Sequence, residues 1–347
     1  MNKKKTKIIF IADCCESSIQ AQNRDAKNWI LFLDPLKYDI SIFCKGEPDI
    51  RLKNKYNVNI IFLNNKIKLI RGFKKVYYYI FKAYEVVIVS NWYLSNILFK
   101  INKYLGKSRK LVVPIVNQVP YEDPKFSYFK SGNINIFAIS EKIKQGIRNY
   151  LNVDVPVVHG CYDLCMFNYK PHHNKRRKIV CVASLQVRKQ PFLFANIAKE
   201  TPEADFIWVG DGYYMSWLEE KIQSEKISNL TMAGTMSQLE LSSFLPKCDI
   251  FLFPSIHEGF PGAVAEAMAC GLPVIVFDTY GPEAVIDGKT GYVVESEFEM
   301  LKKLKYLLSN EDTLRDFSVN ARKRAMDFEG SSIIHELEDY IDEIVLK

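Results

Sequence analysis

The chain has 347 residues, 48% of them hydrophobic and 13% aromatic, with 47 Lys/Arg against 40 Asp/Glu and a net charge of +7. That length suits two domains of about 150 residues, each with its own core. Apolar runs such as 8–12 and 86–89 are far too short to cross a bilayer. The eight cysteines show no C-x2-C pair, the nearest being Cys14-Cys15 and Cys161-x3-Cys165, which argues against a metal site and for free thiols in a reducing cytoplasm.

The charge is unevenly spread. Residues 1–160 hold 27 Lys/Arg and 12 Asp/Glu, whereas 161–347 hold 20 and 28. Within 50–121, 14 basic residues face a single acid, Glu85, so the first domain is expected to meet an anionic partner. No nucleic-acid-binding module accompanies the charge.

Along the chain, Lys3-Lys4-Lys5 is followed by only five apolar residues before Asp13, a first strand rather than a signal peptide. Strands are predicted at 8–12, 39–44, 59–63, 86–90, 110–113 and 135–139, and a short helix at 140–151. Strands alternating with helical stretches predict a doubly wound sheet. Between the third and fourth strands, 66–84 carries Leu69, Ile70, Phe73, Val76, Tyr77, Ile80, Phe81 and Tyr84 on a helical stripe, with Lys68, Arg71, Lys75 and Lys82 largely off it. Two readings stand: a core helix with a solvated basic face, or an interfacial helix held on anionic lipid by its basic face, aided by Tyr78 and Tyr79.

A polar, basic linker at 169–177 leads to a second sheet starting at Lys178. Residues 249–254 read as a buried parallel strand ending in a breaker. A loop over 255–262 opens into a helix at 263–270, which Gly271 and Pro273 stop before a strand begins at 274. Ligands bind at the carboxyl edge of such sheets, and a helix amino terminus offers amides to an anion. The amides of Gly262 and Ala263 are thus candidate phosphate donors, and Glu258 and Glu266 can accept hydrogen bonds from hydroxyls. Two acceptors flanking an anion site suit a phosphorylated sugar. At the end of the chain, 332–347 places Ile333, Ile334, Leu337, Tyr340, Ile341, Ile344 and Val345 on one helical face, with Ser332 as N-cap.

His257-Glu258-Gly259-Phe260-Pro261-Gly262, followed by Glu266-Ala267-Met268-Ala269-Cys270-Gly271-Leu272-Pro273, closely resembles the donor-site signature of retaining GT-B glycosyltransferases of family 4, the group 1 glycosyl transferases. Val209-Gly210-Asp211-Gly212 resembles that family's strand-end turn, and 182–190 occupies the place of its first strand and loop in the nucleotide domain. The resemblance implies two Rossmann-like doubly wound domains facing a central cleft. An acceptor domain would span 1–168, a donor domain 169–330, and a terminal helix 331–347 would pack back on the first domain. It implies that Glu266 binds the nucleotide ribose, that Glu258 contacts the donor sugar, and that main chain near Met236 meets the base. Lys189 matches the family's phosphate-gripping lysine, while Ser184 stands where its arginine is usual, so that either Arg188 supplies the second cation from a shifted position or donor phosphate binding is weaker. Gly210 and Phe260 complete the donor-side set.

The first domain matches less well. Residues 13–23 contain no glycine, where family members often have a glycine-rich loop, and Ser90-Asn91-Trp92 stands where many have a histidine. His159, in the interdomain passage, reads as structural. Asp13, Glu16, Asn91 and Trp92 follow strand ends and are the acceptor-side candidates. The resemblance implies a glycosyltransferase that needs no metal or other cofactor and moves a sugar from a nucleotide-diphosphate sugar to a glycan, lipid-linked or protein acceptor. With the basic first domain, it implies action in the cytoplasm, peripherally on the inner membrane face through 66–84. The departures from the pattern keep two other readings open: a soluble enzyme acting on protein or a small molecule, and a nucleotide-sugar-binding protein with little or no transferase activity.

Overall fold

The computed structural model describes residues 4–15, 21–64, 67–105, 109–116, 129, 134–169 and 176–347. Two compact units result, one from Met1–Cys161 with Gly330–Lys347 and the other from Tyr162–Glu329. The boundaries therefore fall at 161/162 and 329/330, not at 168/169 and 330/331. Much of the expected linker, 170–175, lies outside the described residues.

In the first unit, β1 (Thr6–Asp13), β2 (Tyr38–Cys44), β3 (Val58–Phe62), β4 (Val86–Val89), β5 (Lys110–Ile115) and β6 (Asn135–Ala138) form one parallel sheet ordered β3-β2-β1-β4-β5-β6. Every strand lies where predicted, to within two residues at either end. All four side chains of β4 are fully buried, as expected for a sheet covered on both faces. Described helices include α1 (Ala21–Phe32), α2 (Lys68–Phe81), α3 (Trp92–Leu105) and α4 (Glu141–Leu151). Ser140 caps α4 by accepting from the Ile143 amide, Asn152 closes it in the left-handed region, and Ile143, Ile147 and Leu151 form its buried row.

The last helix, His335–Leu346, belongs to this unit. Ser332 does not cap it, because Ser332 lies within a preceding helical turn, Gly330–Ile333, and Ile334 occupies the cap position. That turn is fixed by Gly330, where a Cβ would come within 2.1 Å of the Phe32 ring. Phe137 of β6 stands edge-on to both Trp29 of α1 and Tyr340 of the last helix, at 5.5 and 5.3 Å between centroids. Glu338 accepts from the Asp34 amide at 2.9 Å and from Lys37 Nζ at 2.8 Å. His159 is structural: its amide donates to Glu336 at 2.8 Å, and its Nδ1 lies 3.0 Å from the same carboxylate.

Helix α2 corrects the sequence reading. Leu69, Ile70, Phe73, Tyr77 and Phe81 are between 44% and 68% exposed, whereas Tyr79 is fully buried. Tyr78 stacks edge-on against Phe43 at 5.7 Å, and Lys75 lies over the same ring. The core-helix reading fails because Tyr78, Tyr79 and Lys75 form the inward side. For the same reason Tyr78 and Tyr79 are not surface aids.

The second unit repeats the arrangement: β7 (Lys178–Val182), β8 (Asp205–Val209), β9 (Leu230–Met232), β10 (Ile250–Phe253), β11 (Val274–Phe277) and β12 (Gly291–Val294), all parallel, in the order β12-β11-β10-β7-β8-β9. Each sheet thus runs 3-2-1-4-5-6 in its own count, and the order reverses between its first and fourth strands. Those are the positions where open α/β sheets bind ligands. No helix among the described residues is long and apolar enough to cross a membrane.

Asp25, buried in α1, offers a test of the first unit. Burial raises its pKa to about 7, with Arg24 opposing. Between roughly pH 4 and 7 the folded chain then holds a proton that the unfolded chain has released, so this group lowers stability as pH rises through that window. Asp25→Asn should flatten that part of the melting-temperature profile and raise the melting temperature at pH 8.

Candidate active site

The second unit's reversal lies between β7 and β10, and the loops leaving these two strands carry the charged cluster. Arg188 and Lys189 stand in a 3-10 turn, Val187–Lys189, after β7. Ser255 and Glu258 follow β10. The loops are tied together at the main chain, since the Ile256 amide donates to the Arg188 carbonyl at 2.9 Å. Lys189 Nζ donates to Glu258 Oε1, as does Ser255 Oγ. Arg188 Nη1 donates to the same oxygen at 2.9 Å and to the His257 carbonyl at 2.7 Å.

Lys189 is 8% exposed and Glu258 7%. Burial lowers the Lys189 pKa, with the Glu258 charge opposing it. Beneath the ammonium, the Phe253 ring centroid is 4.7 Å away, close enough for a cation–π contact. Cys181 and Tyr280 back the cluster. Both are fully buried, and burial pushes both pKa values up, with Lys189 opposing at Cys181 and Glu258 adding to each.

Helix α5 (Pro191–Lys199) follows the lysine turn directly, and α6 (Met215–Ser224) follows β8. Between them the strand-end turn is a close fit that only glycine allows. Gly210 has φ +136° and a Cβ there would lie 2.0 Å from the Ala183 carbonyl oxygen; at Gly212 one would lie 2.7 Å from that of Leu185. The Leu185 amide donates to the Asp211 carbonyl at 3.0 Å, and Trp208 Nε1 to that of Ala183 at 2.9 Å. Gly210 therefore positions the loop bearing Ser184 and Arg188 through its backbone. Ser184 itself is partly exposed.

Helices α7 (Gln238–Phe244) and α8 (Gly262–Ala269) complete the edge. Met236, partly exposed, precedes α7, whose capping box pairs Ser237 with Glu240. Pro261 occupies the N-cap of α8 without a side-chain cap bond, and Gly262 and Ala263 form its first turn. Glu266 is 1% exposed, within α8. Phe260 is taken up in packing: its ring stacks on Tyr162 at 5.8 Å and lies tilted against Phe328 at 4.8 Å, and its carbonyl accepts from the Tyr162 hydroxyl at 3.2 Å.

The sequence reading therefore names Arg188, Lys189 and Glu258, which the fold brings into one cluster, and misses Ser255 and Tyr280. Ser255 was findable as a hydroxyl directly after the end of a buried strand. Tyr280 carried no local signal.

In the first unit, Asp13 ends β1. Burial acts to raise its pKa, but bonds from Cys15 and Lys45 leave it below the usual carboxylate value; its carboxylate lies 2.7 Å from Lys45 Nζ and 2.8 Å from Cys15 Sγ. Asn91 is engaged as a cap at the start of α3, accepting from the Leu94 amide at 3.0 Å. Glu16 lies outside the described residues, as does the side chain of Trp92.

The two doubly wound units are those of the GT-B fold. A crystal structure of Anabaena Alr3699/HepE in complex with UDP and glucose superimposes with a TM-score of 0.79 at 15% identity, covering 97% of this chain and all of that one. Residues 167–324 match the model of the family described as glycosyl transferases group 1. Over 207 residues the chain is 25% identical to the uncharacterized glycosyltransferase MJ1178 of Methanocaldococcus jannaschii, covering 58% of each. Over 178 residues it is 27% identical to the UDP-Gal:alpha-D-GlcNAc-diphosphoundecaprenol alpha-1,3-galactosyltransferase of Escherichia coli, covering 48% of this chain and 46% of that one. The chain thus spans about half the length of these curated relatives.

Gly210→Ala should destabilise the second unit by on the order of 3 kcal/mol, because both its backbone region and the contact with Ala183 oppose a side chain. Chemical denaturation of the variant and of an exposed-site control, Leu239→Ala, measures the difference.

Proposed function

We propose that the chain is a glycosyltransferase that moves a sugar from a nucleotide-diphosphate sugar to an acceptor, with retention of configuration and without a metal. The observation that carries this reading is the cluster of Lys189, Arg188 and Glu258 at the switch point of the second unit. A nucleotide diphosphate leaves with growing negative charge. Two consecutive cations in the turn after β7 and the first turn of α8 supply positive potential there before the bond breaks.

In this reading Lys189 and Arg188 meet the diphosphate, and Glu258 orients both and contacts the donor sugar. The Gly262 and Ala263 amides receive a phosphate oxygen, Glu266 accepts from ribose hydroxyls, and backbone near Met236 receives the base. Arg188 takes the place of the cation that Ser184 cannot provide; its bond to Glu258, beside Lys189, supports this assignment. Asp13 and Asn91, at the carboxyl edge of the first sheet, are the acceptor-side groups.

The product belongs to cell-surface glycan or polysaccharide synthesis at the cytoplasmic membrane face. Support comes from the basic first unit and from the E. coli relative, whose named acceptor is a diphosphoundecaprenol-linked sugar.

A thermal-shift panel of UDP, GDP and ADP and their sugar conjugates tests the donor site. A ligand at a hundredfold its Kd stabilises by about 2.7 kcal/mol, so one nucleotide series should raise the melting temperature of the wild type and not that of Glu266→Ala. No shift with any series overturns the reading. Once the donor is known, Lys189→Ala should lower kcat/KM on the order of 10²- to 10³-fold, the loss usual for one preorganised electrostatic group.

A further inference from the structure

Helix α2 is amphipathic with its apolar side turned outward. Leu69, Phe73, Tyr77 and Phe81 follow one another at four-residue spacing, hence on one face, and are 68%, 65%, 51% and 68% exposed. The inward side holds Tyr78, Tyr79 and Lys75. Arg109 fastens that side, lying 5.5 Å over the Tyr79 ring and donating to the Ile80 carbonyl at 3.3 Å. A helix that turns a half-buried lysine inward while presenting Leu and Phe is arranged for a second apolar medium beyond the protein.

The surroundings specify which medium. Lys74 flanks the row, and Lys68 and Lys82 stand exposed at its two ends. Glu85, the single acid in 50–121, is held by Lys4 Nζ at 3.1 Å and the Lys7 amide at 2.9 Å. At the amino-terminal end of α2, a cavity of about 420 Å³ is lined by Phe62, Leu63, Asn64, Ile70, Arg71 and Lys74, with Lys74 Nζ donating to the Phe62 carbonyl at 2.6 Å. Apolar side chains in a row with cations beside and at both ends match the boundary between acyl chains and anionic headgroups.

We propose that α2 docks the protein on an anionic lipid bilayer by inserting Leu69, Phe73, Tyr77 and Phe81 below the headgroups, with Lys68, Lys74 and Lys82 on the lipid phosphates and a headgroup in the cavity at Arg71 and Lys74. This deepens the membrane-face part of the proposed function and rests on that part alone. It reverses the orientation read from the sequence, since the apolar row, not the basic face, enters the membrane.

Vesicle flotation of the full chain tests it without any donor or acceptor, so its failure is separate from failure of the donor-site reading. Wild type should float with phosphatidylcholine vesicles containing about one-third phosphatidylglycerol and not with pure phosphatidylcholine, and rising salt should weaken the binding. The triple variant Phe73→Ser/Tyr77→Ser/Phe81→Ser should bind at least about tenfold less while melting as wild type does, since those side chains are exposed. Lys68→Gln/Lys74→Gln/Lys82→Gln should lose the preference for anionic vesicles. Phe298→Ser, an exposed aromatic of the second unit, should change nothing. Three results overturn the proposal: no wild-type binding to anionic vesicles, undiminished binding by the serine variant, or a wild-type dimer in sedimentation equilibrium that the serine substitutions dissociate, which would make a second copy the occupant.

Discussion

A lysine and a glutamate taken out of water together are the constraint on which the second unit depends. An ammonium at the depth of Lys189 is tolerable only with a carboxylate against it, and breaking such a pair costs on the order of 3–5 kcal/mol. Lys189 and Glu258 come from loops about 70 residues apart in sequence, so their contact demands that β7 and β10 be neighbours in register. The glycine-limited approach of 210 and 212 to the β7 loop, the Ile256 amide on the Arg188 carbonyl and the Ser255 hydroxyl on Glu258 all hold those loops to the tolerance that the pair requires. The positive charge that Glu258 keeps on Lys189 is what a diphosphate would use.

Most of the fold was legible because buried parallel strands announce themselves as short apolar runs between breakers. The six strands of the first unit and the strand–loop–helix–strand around Glu258 were found this way, with errors of one or two residues at frayed ends. Lys189, Arg188 and Glu258 were legible through their family-like motifs. Tyr280 was not, because its nearness to Glu258 arises from the packing of β11 beside β10 and leaves no local pattern.

Helix α2 shows a different limit. Periodicity reveals that a helix has an apolar side, but not which side meets the sheet. Here the choice was made by neighbours: Phe43 offers a ring to both Tyr78 and Lys75, and Arg109 secures Tyr79. Ser332 fails as a cap for a similar reason. Its composition suits the role, but Gly330 pressed against Phe32 starts a helical turn before the serine is reached.

The first unit is assembled from two stretches of chain far apart in sequence, joined where Phe137 stands between Trp29 and Tyr340 and where Glu336 and Glu338 reach His159 and Lys37. During synthesis the whole of the second unit emerges before residues 330–347 are available. The second unit is contiguous and can close as soon as it has left the ribosome. The first unit, although begun earlier, must wait with part of its core open until the last helix arrives. The order of completion on the ribosome is thus the reverse of the order in the sequence, and a nascent chain halted near residue 300 would present an unfinished first unit to chaperones.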